Sequence, residues 1–184
     1  RETYMVQITG VTPTGTAGLY PFDFTAKFNI YEKGSSGSII QIASLFDRAL
    51  IEKLHQYPED LKTFDRRRFE ELIAELFNGF GYEVELTQRT RDGGKDIVAI
   101  KRCEVDLRFL IECKRPDPGN YVGVKAVREL YGVKIDDGAS MAILATTAYF
   151  SRDAKIFSEK HRWELDLKDY EAIKGWIGKY LDNS

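Results

Sequence analysis

Asp96 and the tripeptide Glu112-Cys113-Lys114 combine two carboxylates and an ammonium at a spacing that suits a β-hairpin. Side chains alternate faces along a strand, so Glu112 and Lys114 point one way and Cys113 the other. The polar segment 101–106 is expected to turn the chain. If that turn centres near Glu104, residues placed symmetrically about it face each other, and Asp96 lies opposite Glu112. Opposed residues on one face have Cβ atoms about 4.5–5.5 Å apart. A slip of one residue would turn every side chain to the other face.

Two carboxylates brought that close repel each other unless a cation stands between them. Mg²⁺ suits the place, with Mn²⁺ as an alternative, because it is hard, takes oxygen ligands and keeps several of its waters. In front of a phosphodiester such an ion polarises the phosphoryl oxygen, acidifies a bound water and neutralises the leaving alkoxide. Lys114 adds positive charge beside the attacking water or the scissile phosphate. The plainer alternative is a solvated strand face with a cross-strand ion pair at Glu112 and Lys114, and a turn residue at Asp96.

These residues need a scaffold, and the apolar spacing supplies one. Asp65 is placed to cap a helix on which Phe69, Leu72, Ile73, Leu76 and Phe77 recur at helical spacing, with Gly79 and Gly81 ending it. At about 100° per residue, Glu70 falls at the edge of the apolar arc. Glu71 falls on the far side, in line with Glu75 and Asn78, facing water. Tyr82, Val84 and Leu86 alternate as a first strand; 96–100 and 107–114 are the second and third. Between the first two lies a polar loop containing Gly93-Gly94, which serves either a close backbone approach to phosphate or a tight turn.

Pro116 and Pro118 then break regular structure. A helix follows with Val124, Val127, Leu130 and Tyr131 on one face. The run Met141–Ala145 has the pattern of a strand buried on both sides, with the Thr146 and Thr147 hydroxyls at its end meeting either a site or a turn. Ser151 can cap a short helix; Trp163, Leu165 and Leu167 alternate as another strand. Asp169 can cap a last helix with Tyr170, Ile173, Trp176, Ile177 and Tyr180 inward. The expected fold class is α/β: a mixed sheet flanked by helices, its first three strands in antiparallel succession. Upstream, residues 1–45 have a β-rich pattern, with Phe22, Phe24, Ala26, Phe28 and Ile30 alternating, and contain no catalytic pattern. Phe46, Leu50 and Leu54 mark a helix ending before Pro58.

Composition sets outer bounds. The 184 residues suit one domain or one domain with an appendage. No stretch approaches the ~20 apolar residues of a membrane span. The start, Arg1-Glu2-Thr3-Tyr4, is polar, so no signal peptide and a cytoplasmic location are expected; lacking an initiator Met, the chain fits a piece of a longer protein. Cys103 and Cys113 are too few for a disulfide framework or a zinc site and are expected as reduced residues packed in strands. His55 and His161 have no ligand-like partners. The net charge of −2 counts against a nonspecific nucleic-acid binder. Any DNA contact must then come from local cations, and Arg66-Arg67-Arg68, Arg89 with Arg91 and Lys95, and Lys114-Arg115 are the clusters available.

The segments Phe69-Glu70-Glu71-Leu72-Ile73-Ala74-Glu75-Leu76-Phe77, Gly81-Tyr82-Glu83-Val84, Arg91-Asp92-Gly93-Gly94-Lys95-Asp96-Ile97-Val98-Ala99 and Ile111-Glu112-Cys113-Lys114-Arg115, in this order and spacing, closely resemble the Mrr-like restriction endonucleases of the PD-(D/E)xK nuclease superfamily. Val127-Arg128-Glu129-Leu130-Tyr131-Gly132 and Ala145-Thr146-Thr147-Ala148-Tyr149-Phe150-Ser151 fit as well. The resemblance spans roughly residues 50 to 177. It implies a restriction-endonuclease-like αβββαβ core, metal ligands at Asp96, Glu112 and the carbonyl of Cys113, a catalytic lysine at Lys114, and an acidic site residue on the first helix at Glu70. Residues 46–184 are then the nuclease domain and 1–45 an appendage outside the resemblance.

The expectation is a Mg²⁺-dependent endodeoxyribonuclease that hydrolyses phosphodiester bonds of double-stranded DNA in restriction or defence. Gln88, Arg91, Lys125 and Arg128 are the candidates for DNA contact, against the plainer view of exposed loop and helix charges. Cutting both strands calls for two sites, hence a homodimer. The rivals are a structure-specific repair or junction nuclease and a DNA-binding module without cleavage.

Overall fold

The structure, a computed structural model, describes residues 48–87 and 94–183. Helix α1 (Arg48–Gln56) and a 3-10 turn (Pro58–Thr63) lead into α2 (Arg66–Gly79), followed by β1 (Glu83–Leu86), β2 (Ile97–Lys101) and β3 (Leu107–Lys114). Then come β4 (Tyr121–Val122), α3 (Val124–Asp137), β5 (Met141–Thr146), β6 (Tyr149–Phe150), α4 (Arg152–Lys160), β7 (Leu165–Lys168) and α5 (Tyr170–Asp182). One five-stranded sheet runs in the order β1-β2-β3-β5-β7. β1, β2 and β3 are antiparallel neighbours, while β5 and β7 join parallel to β3. The expected mixed sheet between helices is what forms. The sequence pattern did not reveal β4 and β6, a two-stranded parallel ribbon; two residues are too few for a period to register.

β3 is central, and its alternation explains the layering. Ile111 and Cys113 join Ile97, Ala99, Ile143 and Ala145 under α1, α2 and α5. Leu110 points the other way, to Val98 and the Ala139 beyond α3, and next to it Leu144 and Val127 form the core beneath α3 and α4. The helix ends follow local chemistry: the side chains of Asp65, Ser151 and Asp169 accept hydrogen bonds from the N–H groups of Arg68, Ala154 and Ala172. Gly79 ends α2 against the Tyr180 ring of α5. A Cβ there would lie 2.2 Å from Tyr180 Cε2, so only glycine lets the two helices approach this closely.

Three local expectations are corrected. Glu75 is buried and its carboxylate accepts the Tyr180 hydroxyl at 2.7 Å, because α5 packs on the side of α2 that helical phase alone assigned to water. Burial, with that bond adding to it, pushes the Tyr180 phenol up to about 12. Trp163 is 80% exposed and precedes the strand, since the backbone turns at 161–164, with the N–H groups of Glu164 and Leu165 donating to the His161 carbonyl. Cys103 is exposed in the β2–β3 turn, whereas Cys113 is buried in β3. Among the described residues no helix is long and apolar enough to cross a membrane.

Candidate active site

The hairpin register is the one expected from symmetry about Glu104: Ile97 pairs with Ile111, and Lys101 with Leu107. The regular pairing stops at Ile97 and Ile111; one step beyond, the Asp96 N–H donates to the Ile111 carbonyl at 2.9 Å and not to Glu112, so the expected pairing of Asp96 with Glu112 is not continued by the ladder. The Asp96 carboxylate does not rise on one face beside Glu112. Its Oδ2 accepts the Cys113 backbone N–H at 2.7 Å, so it lies near the plane of the sheet at the strand end. From there it reaches α2. Its Oδ1 accepts from Arg66 Nη2 at 2.9 Å, on the first turn of α2.

Glu70, 2% exposed, reaches the same end from α2. Its Oε1 accepts from Arg66 Nε at 3.0 Å and its Oε2 from Arg67 Nη1 at 3.2 Å. Burial, reinforced by the Asp96 charge, pushes the Glu70 carboxyl above its ordinary value, and the two arginines limit the rise. On β3, Lys114 Nζ stands 2.5 Å from Glu112 Oε1, as their shared face requires. Glu112 too is buried, at the end of an apolar face that continues through Leu110 and Val98. Burial raises its carboxyl; the Lys114 ammonium pulls the other way, and the Asp96 charge adds to the rise. Glu70, Asp96, Glu112 and Lys114 are thus assembled at one end of the sheet.

Cys113 contributes through its backbone. Its side chain is fully buried in the α2-side core, and burial pushes the thiol well above its ordinary value. Iodoacetamide at pH 8 is therefore expected to alkylate Cys103 alone in the folded protein, and Cys113 only after denaturation. Peptide mass mapping checks this; rapid native-state labelling of Cys113 would contradict its burial.

The donors available to an ion are all oxygens: three carboxylates and the Cys113 carbonyl. That chemistry fits Mg²⁺ or Mn²⁺ and not a thiolate- or imidazole-seeking metal. Among the described residues no three His, Cys, Asp or Glu side chains are already arranged as a metal-binding group. The Arg66 guanidinium sits between Glu70 and Asp96. Two carboxylates with retained waters suffice for Mg²⁺, so the donor set still fits.

Other sequence candidates lie apart from this group. Lys125 on α3 is 90% exposed, with Glu129 at 3.9 Å, and Arg128 on the same helix lies over the Phe157 ring of α4 at 5.4 Å. Gln88, Arg89, Arg91 and Gly93 lie outside the described residues. Gly94 has φ +57° and a Cβ there would meet Val133 of α3 at 3.1 Å, which accounts for glycine as a turn residue. Lys95 is bound to Asp137, which Arg108 Nε also holds at 2.9 Å. Burial would raise the Asp137 carboxyl, but Lys95 and Arg108 keep it below its ordinary value. Arg115 donates to the Lys62 carbonyl at 2.9 Å. Thr146 Oγ1 accepts from the Ala148 N–H at 3.2 Å, a strand-end turn.

The sequence reading placed Arg66 and Arg67 only in a basic cluster, not in the carboxylate group. The signal available was the spacing of Arg66 and Arg67 from Glu70, four and three residues, which puts such pairs in contact on a helix.

Residues 61–177 match the Mrr catalytic-domain model, described as restriction endonuclease. A curated relative, the uncharacterized protein y4cE of Sinorhizobium fredii (strain NBRC 101917 / NGR234), is 29% identical over 126 residues, 67% of this chain and 32% of its own length. The chain therefore spans about a third of that relative. The DNA modification-dependent restriction endonuclease AspBHI superposes with a TM-score of 0.55 at 24% identity, covering 74% of this chain and 36% of that one. The MspJI restriction endonuclease, solved with a 27-mer oligonucleotide, gives 0.53 at 16% identity, over 83% of this chain and 36% of that one. At such identities these two likenesses show a shared fold.

Proposed function

The chain belongs to the Mrr-like restriction endonuclease family, and on that premise we propose that it is an endodeoxyribonuclease hydrolysing phosphodiester bonds of double-stranded DNA with the help of a divalent ion. One observation carries the reading: Asp96 ties the buried Glu70 of α2, through Arg66, to the β3 end that bears Glu112 and Lys114. Three carboxylates and an ammonium held together against burial have little structural rationale and much chemical use. The domain of residues 46–184 is the catalytic unit, acting in restriction of foreign DNA, with two copies needed to cut two strands.

Asp96, Glu112 and the Cys113 carbonyl would hold Mg²⁺ or Mn²⁺, which when bound would polarise the phosphate, acidify a water and neutralise the leaving oxygen. The chain's own residues do the rest. The Cys113 N–H holds Asp96 Oδ2, and Oδ1 is turned to the Arg66 guanidinium. Lys114, tethered to Glu112, offers the Nζ protons to an incoming phosphate oxygen or to the attacking water. Glu70, buried beside the others, orients water by accepting a hydrogen bond at its carboxylate. Lys125 and Arg128 on α3, with Gln88 and Arg91, contact the DNA backbone.

Purified protein incubated with supercoiled plasmid and Mg²⁺ is expected to give nicked and linear products, and none in EDTA. Undiminished cleavage in excess EDTA would remove the metal from the mechanism. A finer test separates two adjacent glutamates. Glu71 lies outside the carboxylate group and pairs with Arg67 Nε at 3.4 Å. Glu70→Gln is expected to slow single-turnover cleavage at least about tenfold, roughly 1.4 kcal/mol of transition-state stabilisation. Glu71→Gln should stay within about 0.5 kcal/mol of the parent. Equal rates for the two variants would take Glu70 out of the site.

A further inference from the structure

Arg66 bridges two carboxylates from different elements of the site, Glu70 on α2 and Asp96 at the start of β2. Its neighbour Arg67 is held on several sides, by Glu70, by Glu71 and by the Thr87 carbonyl at 3.3 Å. Among the described residues Arg66 has no other partner of that kind, and its side chain is 50% exposed, whereas Glu70 is buried and Asp96 is 14% exposed. The carboxylates are thus fixed and the guanidinium has room to leave. Asp96 Oδ2 accepts the Cys113 N–H, while Oδ1 is the oxygen that Arg66 holds at 2.9 Å and that a competing cation would take from the guanidinium.

We infer that Arg66 is a displaceable internal counter-ion: its guanidinium neutralises Glu70 and Asp96 and competes with a divalent cation for Asp96 Oδ1. The inference rests on the reading of Asp96 and Glu112 as metal ligands. Two positive groups cannot share one carboxylate oxygen without repulsion, so an ion bound there sends the guanidinium outward. Arg66 therefore does two opposed things. It keeps buried like charges from pushing the end of α2 away from β2, and it weakens ion binding until displaced. Planar and bidentate, a guanidinium suits this bridge better than an ammonium does.

The test compares the parent with Arg66→Gln, without DNA, using Mn²⁺ alone as the probe in calorimetry and melting temperatures with EDTA or with Mn²⁺. Arg66→Gln is expected to melt lower in EDTA, to bind Mn²⁺ about tenfold more tightly, and to gain more from Mn²⁺ on melting. Binding measurable only in the variant supports the inference equally. Adding Asp96→Asn to Arg66→Gln should recover most of the melting temperature lost in EDTA, because the repulsion has gone, and should abolish the gain in Mn²⁺ affinity; a merely structural arginine would show no such gain to lose. Arg66→Lys should fall between parent and Arg66→Gln in Mn²⁺ affinity. Mn²⁺ binding equal to or weaker than the parent's in Arg66→Gln overturns the inference and leaves the metal site standing. No Mn²⁺ binding by either protein removes the metal site, and the inference with it.

Discussion

Glu112→Gln is expected to lower the single-turnover rate of DNA cleavage at least about a hundredfold, as loss of a group facing developing charge commonly does, while raising the melting temperature in metal-free buffer at pH 7. The carboxylate is buried and sits near the Asp96 charge, so its folded pKa lies above the ordinary 4.5. The direction of the stability effect follows. A raised carboxyl contributes stability below its unfolded value, and that contribution is lost as pH rises through the folded value. At pH 7 the ionised Glu112 is therefore a burden on the fold, and the neutral amide removes it. The gain should shrink as pH falls and vanish below about 4.5, where Glu112 is protonated in both states.

Asp96→Asn should lose cleavage to the same extent without the gain in stability. What it sheds in repulsion it forfeits in the Arg66 ion pair and in the charged acceptor for the Cys113 N–H. Melting curves from pH 4 to 8 with plasmid assays on the same samples check both. A stability loss of several kcal/mol in Glu112→Gln would mark Glu112 and Lys114 as a structural ion pair instead.

The second large effect lies behind the site. Ile111 is fully buried at the middle of the central strand, and its carbonyl receives the Asp96 N–H. Ile111→Ala is expected to cost about 2–5 kcal/mol, since the α2 and α5 layer cannot fully close over the space vacated. For a protein of this size, each kcal/mol lowers the melting temperature by about 2–4 °C. Because the contact to Asp96 is made by the backbone, cleavage per folded molecule at low temperature should be unchanged. Chemical denaturation and a plasmid assay at 10 °C measure the two effects. A loss under about 1 kcal/mol would mean that β3 is not the packed centre of the sheet.

Residues 1–47 and 88–93 lie outside the described residues, so the β-rich reading of the start and the roles given to Gln88 and Arg91 rest on sequence. Within the described part, sequence was sufficient wherever one local rule acted without competition. Polar 101–106 had to turn, and symmetry about Glu104 then set the register from Lys101–Leu107 to Ile97–Ile111, because strand pairing allows no half steps. Asp65, Ser151 and Asp169 capped helices because their oxygens lie within reach of the next free N–H groups. The phase of α2 put Glu70 at the rim of the core for the same kind of reason.

Where two elements packed together, local rules ceased to decide. Glu75 was assigned to water by phase and is buried, since a helix has more than one neighbour and α5 arrives from a hundred residues away. Asp96 and Glu112 were expected to stand side by side, yet the free Cys113 N–H at the strand end drew Asp96 into the sheet plane. Arg66 was legible as a basic residue four positions from Glu70, but its second bond, to Asp96, spans thirty residues and depends on how α2 docks against β2. Backbone spacing is periodic and can be counted along a chain; the partner that a long side chain chooses is set by which charges the finished packing brings within its reach.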